Sequence, residues 1–278
     1  MKSVMGFKNA RIILFVMVIG FSTVLAGCKT TQTVTTIAPG TSGQMISEVK
    51  PGSEQERFES RMKLAVAYFQ GGRDSSATAL AEVNRALELR PRSAEALALK
   101  GMIYDQMGDT GNAIAYLRNA VSNDSSNGDL NHNLGTMLCN HSQYADGIAY
   151  LEKAVSLPNN TNVTRSWLMI GECYQGAGNI QKAETAYHQV LYLEPSNRAA
   201  LYQLSNFMYL RNDIIGAKEY LERMGSIRNM NAPALWLGVK IARTQGDAYL
   251  MGQYAKALRD RYPSSIEAAA LNRGDYHL

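Results

Sequence analysis

Side chains able to do chemistry are few and scattered in this sequence. The four histidines, His132, His141, His188 and His277, stand apart, and none belongs to an HExxH pair that would hold a zinc ion on one helix face. No paired-cysteine metal spacing, phosphate-cradling glycine loop or GxSxG nucleophile turn occurs. Gly71-Gly72 and Gly176-Ala177-Gly178 read as turns, and Arg273-Gly274-Asp275 as a chance tripeptide. These residues point away from an enzyme, and no catalytic, metal, cofactor or small-molecule site is expected. What remains is three thiols: Cys28 near the N-terminus, and Cys139 and Cys173 in the middle of the chain.

The elements that would position such residues are repeats. Counted in a 34-residue frame from Thr164, Trp167 falls at position 4, Ile170 at 7, Gly171 at 8, Tyr174 at 11, Ala183 at 20, Tyr187 at 24, Val190 at 27 and Pro195 at 32. The spacing resembles the tetratricopeptide (TPR) pattern. Small Gly171 and Ala183 let two helices touch, large Trp167, Tyr174 and Tyr187 fill the space around them, Gly178 and Asn179 make the turn, and Pro195 ends the second helix. One such hairpin cannot bury its own apolar face, so neighbours must stack on both sides.

The chain supplies them. A first repeat carries Leu64, Ala65 and Tyr68 on its A helix and Ala79, Val83, Ala86 and Pro91 on its B helix, with a long GGRDSS turn between. Further frames start at Ala94, Gly128, Arg198 and Ala232, and two extra residues lie within PNNTNVT before the repeat of Thr164. Gly147 replaces the usual B-helix alanine, at about 1 kcal/mol in helix propensity. The expectation is an all-α TPR solenoid of about six helix-turn-helix repeats over residues 54–271, wound as a right-handed superhelix. It closes with a short helix over Ser265–Leu271 capped by Ser264, and a tail, 272–278, that frays.

Residues 1–27 read as a signal peptide, with Lys2, Lys8 and Arg11 ahead of an apolar run from Ile12 to Leu25. Leu25-Ala26-Gly27-Cys28 resembles the lipobox of bacterial lipoproteins, which implies lipid on Cys28; Lys29 after it implies transport to the outer membrane. The stretch 28–53 is rich in Thr, Ser and Gly and cannot bury a core, although Met45–Val49 could dock on the first repeat. The formal charge of +4 also changes meaning once the leader is removed. The leader holds three of the 28 basic residues and none of the 24 acidic ones, leaving 25 against 24. No basic groove for nucleic acid is indicated.

A TPR array binds partners along its A helices, at positions 2, 5, 9 and 12. Those positions give Met62, Val66 and Phe69 in the first repeat, Ala98, Met102 and Asp105 in the second, and His132, Thr136 and Cys139 in the third. The fourth offers Arg165, Leu168, Glu172 and Gln175, the fifth Tyr202, Asn206 and Tyr209, and the sixth Trp236, Lys240 and Arg243. The start of this face is apolar, which marks a partner site, with Met62, Val66 and Phe69 as anchors while Leu64, Ala65 and Tyr68 pack the hairpin. For Cys139 and Cys173, neighbouring helix axes about 8 to 10 Å apart exceed the Cα separation of about 7 Å that a bridge tolerates. Two buried free thiols are therefore expected, with a disulfide as the alternative.

LNHNLGTML in the third repeat, the insertion before the fourth, LWLGVKIAR in the sixth and RYPSSIEA at the end resemble the type IV pilus biogenesis lipoproteins, the pilotins of the PilF/PilW type. The resemblance implies an outer-membrane lipoprotein on the periplasmic side that binds the pilus secretin and promotes its outer-membrane localisation and oligomerisation. The alternative is another envelope TPR lipoprotein, a scaffold for outer-membrane protein insertion, peptidoglycan enzymes or Tad-type pilus assembly.

Overall fold

The computed structural model describes residues 52–158 and 160–276. The expected signal peptide, Cys28 with its expected lipid, the stretch up to residue 51 with its Met45–Val49 segment, and His277 lie outside the described residues. Twelve helices pair into six hairpins: α1 (Glu54–Gln70) with α2 (Ser76–Leu89), α3 (Ala94–Met107) with α4 (Thr110–Asn123), α5 (Gly128–Asn140) with α6 (Tyr144–Ser156), α7 (Val163–Gly176) with α8 (Ile180–Leu193), α9 (Arg198–Leu210) with α10 (Ile214–Arg223), and α11 (Ala232–Thr244) with α12 (Ala248–Arg261). A thirteenth, α13 (Ile266–Arg273), packs on α11 and α12. The result is the expected TPR-type superhelical solenoid, with no strand among the described residues.

Local chemistry explains the helix boundaries. Ser53 opens α1 with a full capping box to Glu56, and Ser93, Asn127, Asn197, Asn231 and Ser265 accept a backbone N–H at the start of their helices. Within hairpins the second helix starts on Asp109, Asn179, Asp213 or Asp247. The residue before each of these caps is left-handed. Gly108, Gly178 and Gly246 supply that backbone freely, whereas Asn212 and, in the third hairpin, Ser142 adopt it at φ near +60°.

Inside each hairpin a small residue on the A helix lets the B helix approach. A Cβ on Gly101 would lie 2.9 Å from the Ala113 carbonyl oxygen, and one on Gly135 2.8 Å from that of Gly147. Ser205 uses the same closeness to donate a 2.6 Å hydrogen bond to the Ala217 carbonyl. Opposite Gly171 the nearest group is the ring of Tyr187, which a Cβ on that glycine would meet at 2.5 Å, rather than Ala183 as the spacing suggests. Tyr187 is fully buried, worth about 1.5 to 3 kcal/mol for a side chain of this kind, and its hydroxyl donates to Gln175 Oε1 at 3.0 Å.

The first repeat departs from its expected packing. Ala65 is buried, but Leu64 and Tyr68 are 40% and 41% exposed, and Phe58 joins the core in their place, with Met62 and Phe69 half-buried against it. The reason is positional. In α3 the residues Ala96, Leu99 and Ile103 face back onto the preceding hairpin, whereas α1 has no preceding hairpin among the described residues.

Between the third and fourth repeats the two-residue insertion builds a polar joint. Buried Asn160 donates to the Ala154 carbonyl at 2.9 Å and to Ser166 Oγ at 3.2 Å. Thr161 and Asn162 both donate to the Asp129 carboxylate. His132 Nδ1 lies 2.8 Å from Ser166 Oγ. The Ser166 hydroxyl spends its own proton on the Asn162 carbonyl at 3.1 Å, so Nδ1 carries the proton of the neutral imidazole and donates. Beside this joint Cys139 and Cys173 form a disulfide with a Cα separation of 5.6 Å, overturning the expectation of two free thiols. Axis spacing misled because the two cysteines stand on the facing sides of α5 and α7, where Cα atoms come closer than the axes do. Gly147 makes the room: a Cβ there would meet Cys139 Sγ at 2.5 Å.

The C-terminus is also more ordered than expected. Ser265, not Ser264, caps α13, left-handed Gly274 ends it, and Arg273 pairs with Asp275 at 4.0 Å. Instead of fraying at 272, the chain returns to the solenoid and stacks Tyr276 on Trp236, with centroids 5.5 Å apart and planes 13° from parallel.

Candidate binding groove

The A helices α1, α3, α5, α7, α9 and α11 present the residues that the repeat frame assigns to the groove, and the structure sorts these into three zones. In the first, Met62, Phe69 and Met102 are half-buried against one core cluster of α1, α2 and α3, and Val66 on the same helix is 38% exposed. The zone is apolar, as expected. Its residues do not divide cleanly between core and surface, because Met62 and Phe69 serve both. Gln106 holds the neighbouring backbone: its side-chain amide donates to the Phe69 carbonyl at 3.3 Å and its oxygen accepts from Ser76 Oγ at 2.8 Å.

The middle zone is largely closed. Ala98, His132 and Cys139, all at groove positions, are buried. Two of them are covered by the neighbouring repeat: His132 bonds Ser166 and Cys139 bonds Cys173, both on α7. At the surface nearby, His141 Nε2 and Asp105 Oδ1 lie 3.3 Å apart.

The third zone spans α7, α9 and α11 and mixes aromatic faces with charge. Tyr202, Asn206 and Tyr209 on α9 are half-buried. Tyr202 opens on a cleft with Arg198, Gln203, Asn229 and Asn231, and burial together with the charge of Glu267 pushes its phenol pKa up. Lys240 Nζ sits 5.4 Å from the Tyr209 ring and 5.9 Å from that of Trp236, and burial lowers its pKa. Arg243 lies over Tyr276 at 3.9 Å. The protein around Glu172 pushes that carboxyl up. Trp236, assigned to the groove by its position, is instead buried, because Tyr276 covers it. Sequence reasoning missed Tyr276, whose only signal was to be the one aromatic residue in a polar tail. Cations set over aromatic rings beside an amide suit a peptide bearing aromatic and acidic side chains. Among the described residues no group of His, Cys, Asp and Glu could hold a metal ion, and no helix is long and apolar enough to cross a membrane.

Comparison with known proteins agrees with this architecture. The tetratricopeptide repeat family matches residues 94–127 and 164–197, the second and fourth repeats in the frames read from the sequence. The type IV pilus assembly protein PilF of Pseudomonas aeruginosa is 22% identical over 212 residues, 76% of this chain and 83% of PilF. The solved structure of Pseudomonas aeruginosa PilF superposes with a TM-score of 0.69 at 21% identity, over 80% of this chain and 100% of that one. The structure of PilW, described as a widely conserved type IV pilus biogenesis factor, gives 0.68 at 25% identity, over 77% and 98%. The chain carries tetratricopeptide repeats and is similar, over 76 to 80% of its length, to the type IV pilus biogenesis proteins PilF and PilW.

Proposed function

We propose that this protein is a pilotin: a lipoprotein anchored through Cys28 at the periplasmic face of the outer membrane, which binds the type IV pilus secretin and promotes its localisation and oligomerisation there. The observation that carries the reading is the likeness to PilW, a pilus biogenesis factor matched along 98% of its length at 25% identity. Two features of this chain support it. A disulfide between Cys139 and Cys173 suits a compartment outside the reducing cytosol, and the first repeat offers an exposed apolar face.

The secretin contact is assigned to Met62, Val66, Phe69 and Met102. Val66 is the residue to test, since it is exposed while Phe69 also packs the core. Val66→Asp should weaken capture of the secretin at least tenfold, about 1.4 kcal/mol, with the melting temperature nearly unchanged. An unaltered affinity would move the site to the Tyr202, Asn206 and Tyr209 face. Separately, Cys28→Ala should release the protein from membranes; retention of that variant, with no fatty-acid label on the wild type, would remove the anchor from the proposal.

A further inference from the structure

The sixth repeat holds a side-chain slot that the chain fills with its own tail. Trp236 is at a groove position, yet it is only 3% exposed: Tyr276 stacks nearly parallel on it, and the Arg243 guanidinium sits over the Tyr276 ring at 3.9 Å. Tyr276 arrives on a short return from α13: Gly274 turns the chain in a left-handed conformation that side chains resist, and Asp275 pairs with Arg273. A second cation, Lys240, stands between Trp236 and Tyr209. An aromatic ring held by both an indole and a guanidinium is a recognition arrangement, and here its occupant is a three-residue segment, Gly274-Asp275-Tyr276, of acidic and aromatic character.

We propose that this slot is a peptide-binding subsite for an aromatic side chain next to a carboxylate, and that Tyr276 is a resident competitor which a partner segment of that chemistry displaces. The proposal rests on the reading of the A-helix face as a protein-binding groove, but not on the identity of the partner. The tail contact is small, one ring and one short turn of chain beyond α13, and segments held by so few contacts open at low free energy. A ligand that competes with a tethered segment sees its affinity reduced by the fraction of time the segment is seated. Removing the tyrosine therefore exposes the subsite without touching its walls.

The test uses the full-length protein and a dye-labelled heptapeptide copy of its tail, NRGDYHL, followed by fluorescence anisotropy. The Tyr276→Ala protein should bind this peptide at least tenfold tighter than wild type, and a peptide with alanine in place of its tyrosine should not bind either protein. Arg243→Ala, made at an exposed side chain in the Tyr276→Ala background, should weaken binding again. Equal binding by wild type and Tyr276→Ala, or binding indifferent to the peptide tyrosine, overturns the proposal. Because no secretin is present, failure here leaves the pilotin reading standing, and failure of secretin capture leaves the slot standing.

Discussion

His132 is a titratable ring locked into the joint between two repeats. Burial, with the charge of Arg165 adding to it, lowers its pKa against the opposing pull of Asp129. The folded state therefore favours the neutral ring, which donates from Nδ1 to Ser166. An unfolded histidine titrates near about pH 6.5. The stabilisation is thus fully present above that value, and is lost as pH falls below it and through the lower folded pKa. Melting temperatures should drop on acidification from neutral pH, and His132→Gln should flatten that dependence while lowering stability at neutral pH. Glu172 works in the other direction, since its raised pKa costs stability as pH rises through it. The difference between wild type and the His132 variant removes this background. A difference that does not vary with pH would mean that the ring is not the titrating group.

At the scale of the helix pair, Gly147 reverses an ordinary preference. Alanine is better than glycine in a helix interior by about 1 kcal/mol, yet Gly147→Ala would push a methyl group to 2.5 Å from Cys139 Sγ and 2.9 Å from the Gly135 carbonyl. Overpacking of this kind costs about 1 to 3 kcal/mol, so the substitution should destabilise, as denaturant unfolding would show; a stabilised variant would contradict the packing. Hairpin frames, turns and most of the core were legible in the sequence, because each depends on residues a few positions apart: Gly101, Gly135 and Gly171 against their B helices. Contacts between elements were not legible. The Cys139–Cys173 bridge depends on which sides of α5 and α7 face each other, the exposure of Leu64 and Tyr68 on what precedes α1, and the burial of Trp236 on where Tyr276 lands. None of these follows from a 34-residue period, which is why groove positions such as His132, Cys139 and Trp236 turned out closed.

Across the whole molecule, a repeat array is held together by contacts between neighbours, so unfolding can start at either end and travel inward. The first hairpin lacks a covering helix on its Leu64 and Tyr68 side among the described residues, whereas α13 and Tyr276 cover the far end. The two ends therefore differ in how their last hairpin is protected. The disulfide bears on what happens when such an array is stretched. It joins residues 34 apart, so a pulling force entering at one end and leaving at the other bypasses all of α6 and its flanking loops. In a single-molecule stretching experiment, the oxidised protein should reach a contour length shorter than the reduced one by roughly 110 to 120 Å, at about 3.3 to 3.6 Å per bypassed residue. An identical length in both states would show the bond absent. The bond thus acts as a stop on extension: the solenoid can be drawn out from both sides of its polar joint, but the third B helix is held out of the load path until the sulfurs part.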